Sequence, residues 1–354
     1  MTLRTLHVID SMVPDAGSPA VSLPGLVRAL KNRSVEATVF SSAGRWNDDG
    51  AGQDGSAELH ELIGRADVVH IHGWDFSLAP KAASAARRAK KPYVLSPHGS
   101  LTDAYPRRTG LWSKWSAALS QRRAVRGAAR LAALTDFEAN ALQDRGLDKS
   151  VTVLPYGLDF DRYAHPSGSG DAAAHADGRC LLMLGPIDPA LGSVALLKAF
   201  AEIGGDADGW SVLVAGSDTG DWRKMLEAAV RRKGGEDRVR FVQAPDVASQ
   251  CGFLAEADAL AAVSLRTSTG VSIMQAVASG VTVLASRCVV PDGLNGAVRV
   301  CEPQRGAIRD GLRAVLTLSD AQRAAIARDA REAGRKSYDW SVLVDRYLEL
   351  YRGL

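Results

Sequence analysis

Cysteine is scarce in this chain. Cys180, Cys251, Cys288 and Cys301 are scattered, and no C-x-x-C pair occurs. That spacing offers no thiolate zinc site and fits reduced thiols in a cytosol. A strong charge of either sign is also missing. Lys and Arg total 43 against 40 Asp and Glu, a net charge of +3. This excludes a histone-like, strongly cationic protein, although not a local basic patch. No apolar run reaches the ~18 residues that a membrane-spanning helix needs. The opening Met1-Thr2-Leu3-Arg4 leads into a strand-like segment and not into a signal peptide. The expectation is a soluble, cytoplasmic protein.

What is present is apolar sequence in short, repeated pieces. At 354 residues the chain exceeds one ordinary core, so two domains are expected. Apolar residues make up 46% and charged residues 23%, enough to fold without a membrane or a disulfide framework. Runs rich in Val, Ile, Leu and Ala fall at 6–9, 37–40, 68–71, 93–95, 131–134 and 151–154. A second set falls at 180–184, 211–215, 239–242, 259–263, 281–285 and 297–300. Near-continuous apolar strands are those buried on both faces, as in parallel sheets covered by helices. The fold class is therefore α/β, with two Rossmann-like, doubly wound domains at about 1–165 and 178–337. The boundary lies in 163–178, rich in Ser, Gly, Ala, His and Asp. The weakly apolar stretch 47–56 reads as a surface loop. Trp340, Leu343, Val344, Tyr347, Leu348 and Tyr351 share one helical face, so 340–354 forms an amphipathic helix expected to pack back on the first domain.

Several motifs then align with one family. Leu6-His7-Val8-Ile9-Asp10 precedes a small-residue turn, Gly17-Ser18-Pro19-Ala20. Asp67-Val68-Val69-His70-Ile71-His72-Gly73 and Tyr93-Val94-Leu95-Ser96-Pro97-His98-Gly99 are strands that end in histidine. Pro155-Tyr156-Gly157-Leu158-Asp159 has the form of a P-N-G-V-D turn. Together these resemble the family 4 glycosyltransferases of the GT-B fold. The resemblance implies two Rossmann-like domains facing across a cleft and retaining transfer from a nucleotide sugar held mainly by the second domain. The nucleotide is expected to be UDP or GDP, with no metal. The acceptor is expected to be a glycan or a lipid-linked sugar in polysaccharide biosynthesis.

The donor motifs depart from the family pattern. Its phosphate loop, G-R-x-x-P-x-K-G, reads here Gly185-Pro186-Ile187-Asp188-Pro189-Ala190-Leu191-Gly192, so Pro186 and Leu191 replace both cations. With Gly270 fixing the register, Thr267 and Gln275 replace the family's two glutamates. Cations normally stabilise the charge that grows on a diphosphate leaving group. The compensating candidates are Arg266 and the opening of the helix at Gly270, Val271 and Ser272, whose N–H groups suit a phosphate. Gln275 retains a carbonyl acceptor for ribose. The alternative is a silent relative that recognises a glycan or supports a protein partner.

On the first domain His98 is the candidate catalytic residue, placed to bond a donor or to orient an acceptor hydroxyl; the plainer role is to cap a strand edge. Gly17 and Ser18 form a turn where backbone amides can approach a phosphate. His70 and His72 alternate on one strand and face the same way. They read as a strand-end pair shaping the cleft more readily than as metal ligands, and His7 carries no distinctive signal. Asp136 reads as a helix-start charge, with Glu138 close behind it. Finally, 105–130 holds no acid but contains Arg107, Arg108, Lys114, Arg122, Arg123, Arg126 and Arg130, with Tyr105, Trp112 and Trp115. It suits either the anionic inner face of a membrane or packing on its own domain. No nucleic-acid role is expected, since there is no second basic surface.

Overall fold

The apolar runs fold as strands. In a computed structural model the described residues are 2–12, 18–47, 50–51, 56–73, 78–99, 123–144, 146, 151–164, 178–218, 220–232, 234–244, 246–265 and 270–354. One unit is built from Met1–Met12, Pro19–Gly157 and Trp340–Leu354, and a second on Leu158–Asp339.

The first unit holds β1 (Arg4–Ile9), β2 (Glu36–Ser41), β3 (Gly44–Asn47), β4 (Gly50–Ala51), β5 (Val68–His72), β6 (Tyr93–Ser96), β7 (Arg130–Ala133) and β8 (Val151–Val153). They form an eight-stranded sheet in the order β4-β3-β2-β1-β5-β6-β7-β8. From β2 to β8 the neighbours are parallel, with His7 opposite His70 where β1 meets β5. Strands β2, β3 and β4 continue the edge antiparallel. This corrects the loop expected at 47–56: Asn47 ends β3, Gly50 and Ala51 form β4, and Ser56 opens a helix. The hairpin rests on backbone pairing of Trp46 with Ala51 and Asn47 with Gly50, which leaves no apolar periodicity to read.

Helices α1 (Ser18–Asn32), α2 (Ser56–Arg65), α3 (Leu78–Arg88) and α4 (Asp136–Gln143) connect these strands, with a further helical stretch at 123–127. Strand order reverses between β1 and β5. In such sheets the crevice beyond the carboxyl ends at that point is where ligands bind.

The second unit repeats the logic. Strands β9 (Arg179–Leu184), β10 (Trp210–Ala215), β11 (Val239–Val242), β12 (Ala259–Ala262), β13 (Thr282–Ser286) and β14 (Arg299–Cys301) are all parallel, in the order β11-β10-β9-β12-β13-β14. The reversal falls between β9 and β12. The connecting helices are α5 (Phe160–Ala164), α6 (Ser193–Ile203), α7 (Trp222–Arg231), α8 (Val247–Glu256), α9 (Val271–Ala278), α10 (Arg305–Leu316) and α11 (Asp320–Tyr338). Leu181, Met183, Val212, Val214, Leu196, Phe200, Ile308 and Leu312 belong to one core, joining the sheet to α6 and α10. A capping box between Ser319 and Gln322 starts α11.

The last helix, α12 (Trp340–Arg352), belongs to the first unit. Trp340, Leu343, Val344, Tyr347, Leu348 and Tyr351 are buried with Ile9, Leu23, Leu26, Leu30 and Val94. Small residues make room for the indole: a Cβ at Gly25 would lie 2.4 Å from the Trp340 ring, and one at Gly157 would lie 2.6 Å from it. The Tyr347 hydroxyl donates to Pro155 O at 2.9 Å, and Arg33 holds Asp345 through two bonds of 3.1 Å. Trp340→Ala therefore should cost about 3–5 kcal/mol through lost burial and a residual cavity. Urea denaturation followed by circular dichroism measures it; a loss below ~1 kcal/mol would show that α12 is dispensable to the first unit.

Candidate functional site

Strand β6 ends at Ser96, and the chain then turns abruptly. His98 has φ +54° and Gly99 has φ +80°. A left-handed, non-glycine residue stores about 1–3 kcal/mol of strain and persists only where its surroundings hold it. Glu138, on α4, does this from below. Its Oε1 accepts from Gly99 N at 2.6 Å and its Oε2 from Leu134 N at 2.8 Å. The side chain is 2% exposed, and burial raises its pKa against the lowering effect of those two N–H donors. Thr135 caps α4 by accepting from Glu138 N at 3.1 Å, which fixes where the carboxylate starts. The imidazole of His98 meets the Tyr156 hydroxyl, 2.7 Å from Nε2 and 3.0 Å from Nδ1. Desolvation pushes the His98 pKa down to about 3, so the ring is neutral at pH 7.

Behind it lies a histidine cluster. His7, His70 and His72 are all buried. His7 Nδ1 and His72 Nε2 are 3.1 Å apart, while His70 is bonded to the Tyr351 hydroxyl at 2.6 Å and to Ser96 Oγ at 2.7 Å. The His72 ring stacks on His70 at 4.1 Å and on His98 at 5.8 Å. The pair expected to shape the cleft from a strand end is instead buried inside the unit. Tyr351 from α12 bonds His70 from inside the unit, and His7 joins as a third member because β1 pairs with β5 in register.

One ring nitrogen from each of His7, His70 and His72 lies within 4.8 Å of the others, close enough for one cation. However, both nitrogens of His70 already have partners, and the nearly parallel His70 and His72 rings do not aim their lone pairs at one point. The arrangement is that of a hydrogen-bonded core.

In the second unit two loops flank the reversal between β9 and β12. The first, 185–192, begins at Gly185 (φ +138°), whose N–H bonds Ala215 O at 3.0 Å. Asp188 Oδ1 accepts from Ala190 N at 2.7 Å, starting a 3-10 turn over Pro189–Leu191. The loop closes at Gly192 (φ +96°), which begins α6. A Cβ on Gly192 would lie 2.2 Å from Val263 O. The two loops are stitched together there, since Leu265 N bonds Ala190 O at 3.1 Å. Pro186 and Leu191 both keep partial exposure.

Gly270 (φ +66°) caps α9, and the first i→i−4 bond runs from Met274 N to Gly270 O at 3.0 Å. The N–H groups of Val271 and Ser272 precede that bond, in the anion-favouring first turn. Gln275 is 3% exposed. Its Nε2 donates to the Tyr163 hydroxyl at 3.1 Å and to Gln250 Oε1 at 2.8 Å, leaving the carbonyl end of the amide outside those bonds.

Gly17, Arg266 and Thr267 lie outside the described residues, and Ser18 opens α1. Of the basic segment, residues 105–122 are also outside them. Its described end packs on its own unit: Ala124 and Val125 are buried, and Arg87 donates to Arg123 O at 2.8 Å. Among the described residues no helix is long and apolar enough to cross a membrane.

Two doubly wound α/β units with glycine turns at their sheet edges define the GT-B fold, and comparison with known proteins agrees. Residues 55–157 match the profile of the glycosyl transferase 4-like domain, and 178–318 match that of glycosyl transferases group 1. The chain belongs to this family 4 type of GT-B glycosyltransferases. The GDP-mannose:cellobiosyl-diphosphopolyprenol alpha-mannosyltransferase of Komagataeibacter xylinus is 25% identical, over 99% of this chain and 93% of that protein. The protein of the same name from Xanthomonas campestris is 23% identical, over 99% of this chain and 96% of its own. Among solved structures, Anabaena HepE in complex with UDP and glucose superposes with a TM-score of 0.77. It is 18% identical and covers 99% of this chain and 100% of that one, a likeness of fold.

Sequence reasoning gave His7 no role, named Glu138 only beside Asp136 and Tyr156 only within a turn. Each bonds a partner distant in the chain, and only the parallel register of β1 and β5 carried a signal for His7.

The buried histidines set the pH response. Burial lowers His7 to about 3 and holds His70 and His72 well below the ordinary value of 6.5. The unfolded chain therefore binds protons first. Their contribution is complete above pH 6.5 and is lost as pH falls toward 3. His7 alone should reduce stability by about 2 kcal/mol between pH 7.5 and 5. Urea midpoints at those two pH values test this; equal midpoints would contradict it.

Proposed function

We propose that this chain transfers a sugar, with retention of anomeric configuration, from a UDP- or GDP-linked donor to a lipid-linked glycan. The observation that carries the reading is the second unit's switch point. The turns at Gly185, Gly192 and Gly270 all hold positive φ, which would let backbone N–H groups meet a diphosphate although Pro186 and Leu191 bring no charge. The first turn of α9, through Val271 and Ser272, would meet the phosphates, with Arg266 supplying the missing cation. The Gln275 carbonyl would accept from the ribose, and Thr267 would stand where the family's sugar-binding glutamate does. On the first unit His98 would act on the transferred sugar or the acceptor hydroxyl, and Gly17 and Ser18 would border the same ligand.

The named activity of the relatives, on GDP-mannose and a polyprenol-linked disaccharide, supports a donor and an acceptor of these classes. A membrane-embedded acceptor also suits peripheral attachment through the basic 105–130 segment at the inner face. A silent, glycan- or partner-binding subunit is the second reading, favoured by the replacement of both loop cations by Pro186 and Leu191.

The test is a transfer assay with labelled GDP-mannose or UDP-glucose and vesicles carrying a cellobiosyl-diphosphate lipid. Labelled lipid should form, with retained configuration by NMR, and His98→Ala should reduce the rate at least ~100-fold. Nucleotide binding without transfer to any acceptor would favour the silent subunit.

A further inference from the structure

His98 cannot hold its own position. It sits at φ +54°, followed by Gly99 at φ +80°, and a residue in that region relaxes unless both its backbone and its ring are anchored. The structure supplies one anchor for each. The Glu138 carboxylate spans two peptide groups on different strand ends, Gly99 N after β6 and Leu134 N after β7. It thereby fixes the turn relative to the sheet. The Tyr156 hydroxyl faces the edge of the His98 ring that carries both nitrogens. A phenolic hydroxyl both donates and accepts, so Tyr156 can bond the neutral ring in either tautomer, and what it fixes is where the ring sits. The family turn carries asparagine where this chain has Tyr156, so this contact is a feature of the chain's own sequence. Tyr156 is 4% exposed and its burial raises the phenol pKa well above 10, which keeps it a neutral hydroxyl.

We propose that Glu138 and Tyr156 are positioning residues for His98, Glu138 fixing the backbone turn and Tyr156 the orientation of the imidazole. The role rests on the reading of His98 as part of the transfer site, but its geometry can be tested without turnover.

The experiment is side-chain nitrogen NMR of the uniformly 15N-labelled full-length chain, with His98 assigned by difference against His98→Gln. In the parent protein His98 should show the nitrogen shifts of a neutral ring. Tyr156→Phe should move them, because the hydroxyl that bonds the ring is gone, with the fold retained by circular dichroism. Glu138→Gln should move the Gly99 and Leu134 amide resonances. In the transfer assay Tyr156→Phe should lower kcat about 10-fold with the donor KM within twofold. His98 shifts unchanged by Tyr156→Phe would overturn the proposal, as would a rise in KM with kcat unaltered. If the parent protein transfers nothing, the proposed function fails and the nitrogen shifts alone decide the positioning role. Should either variant unfold, Tyr156→Trp and Glu138→Asp, read by the same shifts, replace it.

Discussion

The carbonyl of Val263 occupies the space that any side chain on residue 192 would need, 2.2 Å from the position of its Cβ. That close approach is the constraint on which the second unit's candidate site depends. It locks the end of the 185–192 loop to the end of β12, on either side of the point where strand order reverses. A residue at φ +96° with no room for a Cβ has to be glycine, whatever charges the loop carries. Gly192 thus answers to packing, and that packing holds whatever side chains stand elsewhere in the loop, here Pro186 and Leu191 among them.

The first unit uses burial where the second uses close backbone approach. His7, His70, His72 and His98 are desolvated and so kept neutral. Neutral rings can be hydrogen-bonded partners in an interior, and Ser96, Tyr351 and Tyr156 take up that role. The same helix that supplies Tyr351 fills the gap left by Gly25 and Gly157 with Trp340. The C-terminal segment thus completes the core against which the histidine-bearing strands are set. An imidazole held neutral at φ +54° is suited to directional hydrogen bonding and not to bearing charge.

Much of the fold was legible because burial on both faces leaves unbroken apolar runs, and each of those runs falls on a strand. The hairpin at β3 and β4 was not, because its pairing rests on backbone groups and leaves no side-chain pattern. Among the candidate site residues, the place of His98 just past a strand end was legible from the strand-to-glycine motif that carries it. Glu138 read only as an acid close behind Asp136; only the third dimension shows that its carboxylate turns inward to two strand ends. Tyr156 read as a turn residue for the same reason. His70 and His72 were legible as a pair facing one way, while the addition of His7 needed the register of two strands more than sixty residues apart. Gln275 was legible as a polar residue, and its partners Tyr163 and Gln250 were not.

The proposed donor site relies on turn geometry without the two loop cations of the family pattern. Calorimetry with UDP and GDP, on the parent chain and on Gly192→Val, reads whether those turns hold a nucleotide. Micromolar binding of one nucleotide by the parent is expected, with at least ~10-fold weaker binding by the variant, which adds a side chain against Val263 O. No binding of either nucleotide by the folded parent protein would contradict it.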